Sequence, residues 1–219
     1  MRKPLVSAVL LAALTLAGCA SAPPRAATSA PAATVAADDN LNAVLWVQRS
    51  AEYQANAVSI YRAAAARLDQ ALADPEWDAL APAERAEAGP ATGLPPAVIV
   101  DIDETVLDNS PYQARLVANG GEYDEASWAQ WVEERQARPV PGALEFARAA
   151  HARGVTLVYL SNRAAHLGEA TLTNLRAAGF PAADDGVFLG LGTHVAGCEQ
   201  QGSEKRCRRL LAGRQYRVL

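Results

Sequence analysis

The chain of 219 residues carries 24 acidic and 20 basic side chains, has a formal net charge of −4, and is half hydrophobic. This length is enough for one sizeable core with a small insert. The mild acidity argues against a general nucleic-acid-binding protein, which would need a basic face. Basic residues do concentrate near the C-terminus in EKRCRR, which indicates either a solvated helix face or a phosphate-binding site.

The first residues have the pattern of a bacterial export signal. A basic start precedes the apolar run Leu5–Leu16, which is too short to span a bilayer comfortably. The Leu-Ala-Gly-Cys that follows resembles a bacterial lipobox and implies a signal peptide over residues 1–18 and lipidation of Cys19. The expected location is the outer membrane, facing the periplasm or the cell surface, because Ala20 is not an inner-membrane retention signal. An ordinary cleaved signal with a chance cysteine is the alternative.

Residues 19–39 are rich in Ala, Pro, Ser and Thr, and we expect a flexible tether there. Asn40 then opens a long helical pattern that ends at Pro75, with apolar residues recurring every three or four positions. The residues of this face, which we expect to pack in the core, are Tyr53, Ala57, Ile60, Ala64, Leu68 and Leu72.

Strands and helices alternate along the rest of the chain. The predicted strands are the apolar run before Asp101, residues 155–160 (VTLVYL), residues 187–189 and a strand that begins at residue 216. The predicted helices cover residues 124–135, 143 to about 154, 166–178 and 203–212. This alternation predicts an α/β domain with a parallel sheet.

An acidic cluster follows the first predicted strand in the sequence VIVDIDETVLDNS, with Asp101 and Asp103 at its start. A calcium loop is excluded because the fifth, sixth and twelfth positions are Thr, Val and Tyr. A solvated turn does not explain why the acids lie at the carboxyl end of a buried strand, which is where open α/β sheets bind ligands.

Phosphoryl transfer through an aspartate fits this pattern better. Asp101 would attack phosphorus and form an aspartyl-phosphate, while Asp103 would protonate the leaving oxygen and then activate water. A divalent cation, Mg²⁺, is needed because a carboxylate must approach an anionic phosphate.

Such chemistry also needs groups that bind the phosphate. Ser161, followed by Asn162 and Arg163, comes at the end of the second predicted strand, although a turn or helix-cap role would also explain the serine. Lys205, with Arg206 as an alternative, lies near the start of the last predicted helix and could neutralise the phosphate.

The motifs DIDETVLDNSPY, SNR and WAQWVEERQARPVPGALEF, together with WVQRSAEYQA at residues 46–55, resemble the haloacid-dehalogenase-like phosphatases. Within them, the chain is similar to the bacterial lipoprotein acid phosphatases, also known as lipoprotein 5′-nucleotidases. The resemblance implies a Rossmann-like parallel sheet over residues 40–219, with an N-terminal helix and a small helical cap at about 107–140. It also implies Mg²⁺-dependent hydrolysis of small phosphomonoesters such as nucleoside 5′-monophosphates, and a possible homodimer.

The resemblance assigns roles to individual residues. Asp101 is expected to be the nucleophile and a metal ligand. Asp103 is expected to be the acid/base and to offer its backbone carbonyl to the metal. Ser161, Asn162 and Lys205 are expected to bind the phosphate.

One element of the family pattern is missing before Leu219: an acidic pair, in a run like G-D-x-x-x-D, that completes the metal shell. Asp184 and Asp185 precede the third predicted strand and so lie at its wrong end. We therefore expect an incomplete C-terminus, weak Mg²⁺ binding and slow turnover.

A non-catalytic envelope lipoprotein that binds haem or another cofactor is the alternative function. Little in the sequence supports this alternative, because there is no C-x-x-C-H motif and His151, His166 and His194 are scattered. Export makes a disulfide between Cys198 and Cys207 possible, and two free thiols are the other possibility.

Aromatic residues of the cap region leave one further question open. Trp128, Trp131 and Tyr112 could stack on a nucleotide base, or they could simply pack the helices.

Overall fold

A computed structural model of the chain describes residues 38–193 and 204–219. The predicted signal peptide, the lipidation site Cys19, and both His194 and Cys198 lie outside these residues. In the described part the α-helices are α1 (Asn40–Arg49), α2 (Ala51–Ala73), α3 (Pro82–Ala88), α4 (Ser110–Asn119), α5 (Glu125–Glu134), α6 (Ala143–His151), α7 (Gly168–Ala178) and α8 (Glu204–Gln215). None of these described helices is long and apolar enough to cross a bilayer.

The strands form a parallel sheet and a small separate ribbon. They are β1 (Pro96–Val100), β2 (Leu107–Asp108), β3 (Arg138–Pro139), β4 (Thr156–Ala164), β5 (Phe188–Leu191) and β6 (Arg217–Val218). The sheet order is β5-β4-β1-β6, and every neighbouring pair is parallel. This architecture confirms the predicted α/β class with a Rossmann-like parallel sheet.

The sheet separates two hydrophobic layers. Side chains alternate across a strand, so Val98 and Val100 of β1 belong to one apolar cluster and Ala97 and Ile99 to another. The larger cluster includes residues of α6 and α7, and the smaller one includes Ala212 of α8. Helices therefore cover both faces, as a parallel sheet requires.

The predicted single N-terminal helix is wrong at one position. Ser50 is extended (φ −80°, ψ 135°) and separates α1 from α2. Its hydroxyl accepts a hydrogen bond from the Tyr53 backbone N–H at 2.9 Å and caps α2, because a serine side chain competes for backbone groups and favours helix starts. The predicted core face also fails at Ile60, which is 67% exposed, whereas Leu68 is buried.

The β2–β3 pairing and the end of β4 matter for the site. β2 pairs with β3 in antiparallel fashion and brings the ends of the segment from residue 107 to 139 together, with α4 and α5 between them. β4 does not end at Leu160 as predicted but continues through Ser161 to Ala164, with an irregular register against β5. Ser161 is therefore a strand residue rather than a turn residue.

Cys207 is buried and disulfide-bonded, which answers the open question of a free thiol at this position. Its partner lies outside the described residues.

Candidate active site

The acidic cluster folds into a tight turn directly after β1. The carbonyl of Ile102 accepts hydrogen bonds from three successive amides, those of Thr105 (3.3 Å), Val106 (2.9 Å) and Leu107 (2.9 Å). Glu104 takes a left-handed conformation (φ +57°), which is uncommon outside glycine and allows the chain to turn this sharply. Ile102 is fully buried in the core and anchors the turn.

Helix α2 supports this turn from outside. The Tyr61 hydroxyl donates a 2.6 Å hydrogen bond to the Thr105 carbonyl. Burial, with a smaller contribution from Tyr53, raises the pKa of Tyr61 to about 12, so the hydroxyl remains a donor at neutral pH.

Asp103 lies at the centre of a polar network. Its Oδ1 accepts hydrogen bonds from Arg163 Nε (3.0 Å), Arg163 Nη2 (2.8 Å) and Asn109 Nδ2 (2.9 Å). Its Oδ2 accepts only the longer Ser161 hydroxyl contact at 3.3 Å among the described residues. One oxygen is therefore held firmly, while the other has room for a further hydrogen-bonding partner.

Arg163 is buried and makes several polar contacts. Its side chain is 1% exposed, against 26% for Asp103. Beyond Asp103, it donates to Thr171 Oγ1 (3.1 Å) and Asn109 Oδ1 (3.3 Å), and its guanidinium lies 5.4 Å from the centroid of the Trp128 ring. A planar guanidinium suits such a site because its donors have a fixed geometry.

Asn109 extends the network to helix α5. Its Oδ1 also accepts from the buried Trp131 indole N–H at 2.9 Å, and its backbone N–H donates to Glu104 Oε1 at 3.0 Å. Burial raises the pKa of Glu104, although the hydrogen bonds from Asn109 partly offset this. Trp131 is thus a packing and anchoring residue in this structure.

Ser161 and Asn162 are placed by β4 and by a residue from α8. Ser161 is fully buried, and its hydroxyl accepts from the Arg163 backbone N–H at 3.1 Å. The parallel register pairs Val100 with Tyr159, so Asp101 and Ser161 lie at the same edge of the sheet. The buried Arg208 donates to the Ser161 carbonyl and to Asn162 Oδ1, the latter at 3.1 Å.

Lys205 and Asp101 take no part in the Asp103 network. Lys205 is exposed in the first turn of α8 and makes no ion pair with a described carboxylate. Asp101 is partly buried directly after β1, and its carboxylate makes no hydrogen bond with another described residue. The structure therefore brings Asp103 and Ser161 into hydrogen-bond contact, whereas neither Asp101 nor Lys205 makes a hydrogen bond or ion pair with them.

The donors available for a cation are oxygen atoms. The Asp101 carboxylate and the Asp103 main-chain carbonyl are of the type that Mg²⁺ prefers, and Mg²⁺ usually completes its shell with waters and substrate phosphate. No group of three or more His, Cys, Asp or Glu side chains within residues 38–193 and 204–219 could hold a metal. Asp184 instead caps the turn before β5 by accepting from the Gly186 N–H at 3.0 Å.

Aromatic side chains of α4, α5 and the loop between them form a cluster beside Arg163. Tyr112 meets Trp128 at 5.2 Å between ring centroids, and Tyr123 meets Trp128 at 6.3 Å. Tyr112 is buried, whereas Tyr123 is 55% exposed. The cluster thus presents an accessible ring surface next to the polar network.

Several of these contributors were not predicted from the sequence. Arg163 was named there without a role, and Asn109 and Arg208 were not singled out. Each of the three residues lies inside one of the motifs DNS, SNR and KRCRR. A polar residue inside such a motif is the sequence feature that could have identified them. His151 and His166 are exposed.

The family model described as HAD superfamily, subfamily IIIB (acid phosphatase), matches residues 8–209. A solved structure of the class C acid phosphatase from Bacillus anthracis is 32% identical, with a TM-score of 0.65, over 82% of this chain and 65% of that chain. The structure of that phosphatase with tungstate bound gives the same identity, TM-score and coverage. This chain therefore spans slightly less than two thirds of the length of these solved structures.

Proposed function

Because this chain belongs to subfamily IIIB of the haloacid-dehalogenase-like (HAD) superfamily, the acid phosphatases, we propose that it hydrolyses phosphomonoesters. The observation that carries the proposal is the Asp103 network at the carboxyl ends of β1 and β4, with Asp101 immediately before it. The similar phosphatase from Bacillus anthracis has been solved with tungstate bound. Tungstate is an analogue of phosphate, and this supports an oxyanion as the ligand.

In the proposed mechanism, an Asp101 oxygen attacks phosphorus, and the bond from phosphorus to the ester oxygen breaks. Asp103 gives its proton to the departing oxygen from Oδ2, since Oδ1 is already occupied by Arg163 and Asn109. Asp103 then takes a proton from a water molecule as that water attacks the aspartyl-phosphate. This second step releases inorganic phosphate and restores both carboxyl groups.

The other side chains position the reactants. The Ser161 hydroxyl and the Asn162 amide would donate to phosphate oxygens, and Lys205 would supply a positive charge once substrate is bound. Mg²⁺, held by the Asp101 carboxylate and the Asp103 carbonyl, would offset the charge of the phosphate.

We further propose nucleoside 5′-monophosphates as substrates. The accessible ring of Tyr123, next to Trp128 and the Arg163 network, could stack on a base, a contact worth about 1–3 kcal/mol. Removing this ring by Tyr123→Ala should then raise KM for a nucleotide more than KM for p-nitrophenyl phosphate. Equal changes for both substrates would contradict a base-stacking role.

The lipobox-like sequence before Cys19 supports a lipid-anchored enzyme of the bacterial envelope, located in the outer membrane. Mass spectrometry of the membrane-extracted protein would test this location, since acylated Cys19 should be its first residue.

Phosphate release tests the proposed function. With Mg²⁺ and p-nitrophenyl phosphate, the wild-type chain should release phosphate, and Asp101→Asn should abolish the release. Asp184→Asn is the matched control, because Asp184 only caps a turn and its loss should leave turnover unchanged. Turnover that survives Asp101→Asn would contradict the proposal.

A further inference from the structure

We infer that Arg208 is a positioning residue that holds Ser161 and Asn162 in the orientation needed to bind phosphate. The inference rests on the proposed function. Arg208 lies buried behind the predicted site and would orient the residues that bind phosphate.

Arg208 is fully buried although its side chain is charged, which is rare unless the charge is well satisfied. Its Nη1 donates to the carbonyls of Ser161 and, at 3.2 Å, Leu189. Its Nη2 donates to Asn162 Oδ1 at 3.1 Å. One guanidinium thus connects α8 to both β4 and β5.

This contact decides which end of the Asn162 amide is available. The two ends of an asparagine amide differ, because the oxygen accepts while the nitrogen donates two hydrogen bonds. Arg208 engages the oxygen from the buried side, and Asn162 as a whole is exposed. The NH₂ group is therefore left for the open side, where it can donate to a phosphate oxygen.

Arg208 also fixes the orientation of α8 relative to the predicted site. Lys205 precedes Arg208 by three residues, and residues at this spacing share a helix face. The contacts of Arg208 with β4 therefore fix the rotation of α8 about its axis, and with it the direction in which Lys205 leaves the helix. Arg209 points elsewhere, since it pairs with Glu84 of α3 at 2.6 Å.

Phosphate affinity, measured by isothermal titration calorimetry with inorganic phosphate and Mg²⁺, tests the inference without turnover. Arg208→Gln should weaken phosphate binding at least about tenfold, the size expected for one lost hydrogen bond to a charged group. Arg208→Lys keeps the charge but has a single donor atom, so it should lose most of the same affinity. Arg209→Gln is the matched control on the same helix and should leave the affinity unchanged.

A double-mutant cycle tests whether Arg208 acts through Asn162. If it does, the loss of binding free energy in the double variant, Asn162→Ala with Arg208→Lys, should be smaller than the sum of the losses in the two single variants. Losses of binding free energy that simply add would contradict action through Asn162. Circular dichroism would confirm that each variant is folded, and Arg208→Lys carries the test if Arg208→Gln does not fold.

Other results separate a failure of this inference from a failure of the proposed function. If Arg208→Lys binds phosphate like the wild type, or if both Arg208 variants lose no more affinity than Arg209→Gln, the inference is wrong while the proposed function stands. If the wild type does not bind phosphate, or if Ser161→Ala and Lys205→Met leave its affinity unchanged, the proposed function fails and this inference with it.

Discussion

Replacing Arg163 by methionine is the sharpest stability test of the Asp103 network. The change keeps an unbranched apolar side chain but removes the guanidinium, which leaves Asp103 Oδ1 without its two charge-assisted hydrogen bonds. Breaking a buried ion pair by removing one partner typically costs about 3–5 kcal/mol. We expect about 3 kcal/mol, at the lower end, because 26% of the Asp103 side chain is exposed and water can replace part of what is lost.

Thermal unfolding followed by circular dichroism measures this cost. For a protein of this size, 1 kcal/mol lowers Tm by about 2–4 °C, so the Arg163→Met variant should melt about 6–12 °C below the wild type. Arg153→Met is the matched control, because Arg153 makes a similar pair with Asp69 at 2.7 Å on the exposed surface, where such pairs contribute little. Equal melting temperatures for the two variants would refute the reasoning.

The Glu84–Arg209 pair, Gly142 and the proposed divalent cation can each be tested separately. Hydrogen bonding to Arg209 lowers the pKa of Glu84, so the stabilisation from this pair should be full at neutral pH and disappear as the pH falls below about 4. The difference in unfolding free energy between wild type and Glu84→Gln should therefore shrink between pH 7 and pH 3, and a constant difference would contradict this. Gly142→Ala should destabilise the chain by about 1–3 kcal/mol in urea unfolding, because Gly142 has φ +88° and an added Cβ would lie 3.1 Å from the Val58 Cα. Gly121→Ala, where an added Cβ makes only ordinary contacts, should be nearly neutral, and similar losses at the two glycines would contradict the argument. EDTA should abolish phosphate release and Mg²⁺ should restore it, and activity that persists in EDTA would show that no divalent cation is needed.

The parts of the fold that follow from local patterns could be predicted from the sequence. β1 and β4 were visible because buried parallel strands are short, β-branched apolar runs. The start of α5 was visible in the same way, since a helix was predicted from residue 124 and the Asp124 side chain accepts hydrogen bonds from two backbone amides there.

The break at Ser50 and the exposure of Ile60 could not be predicted in this way. The periodicity of apolar residues continues across Ser50, so only the hydrogen bond of the serine to Tyr53 marks the new helix start. Ile60 has the correct spacing for the buried face, and its exposure depends on what packs against α2 in three dimensions.

The order of Asp101, Asp103 and Ser161 along the chain predicts a candidate site at one edge of the sheet, because the carboxyl ends of parallel strands meet there. The contacts that hold the site depend on residues far apart in sequence. Arg163 reaches Asp103 across 60 positions and Arg208 reaches Ser161 across 47. Such pairs become visible only when the sheet register and the packing of α8 are known.

The most direct test is to trap the covalent intermediate. Protein mixed with p-nitrophenyl phosphate and Mg²⁺ would be quenched rapidly and treated with borohydride, which reduces an aspartyl-phosphate to homoserine, and the peptides would be identified by mass spectrometry. We predict homoserine at position 101 alone, and none without substrate. Phosphate release with no modification at position 101, or with homoserine at another aspartate, would contradict Asp101 as the nucleophile.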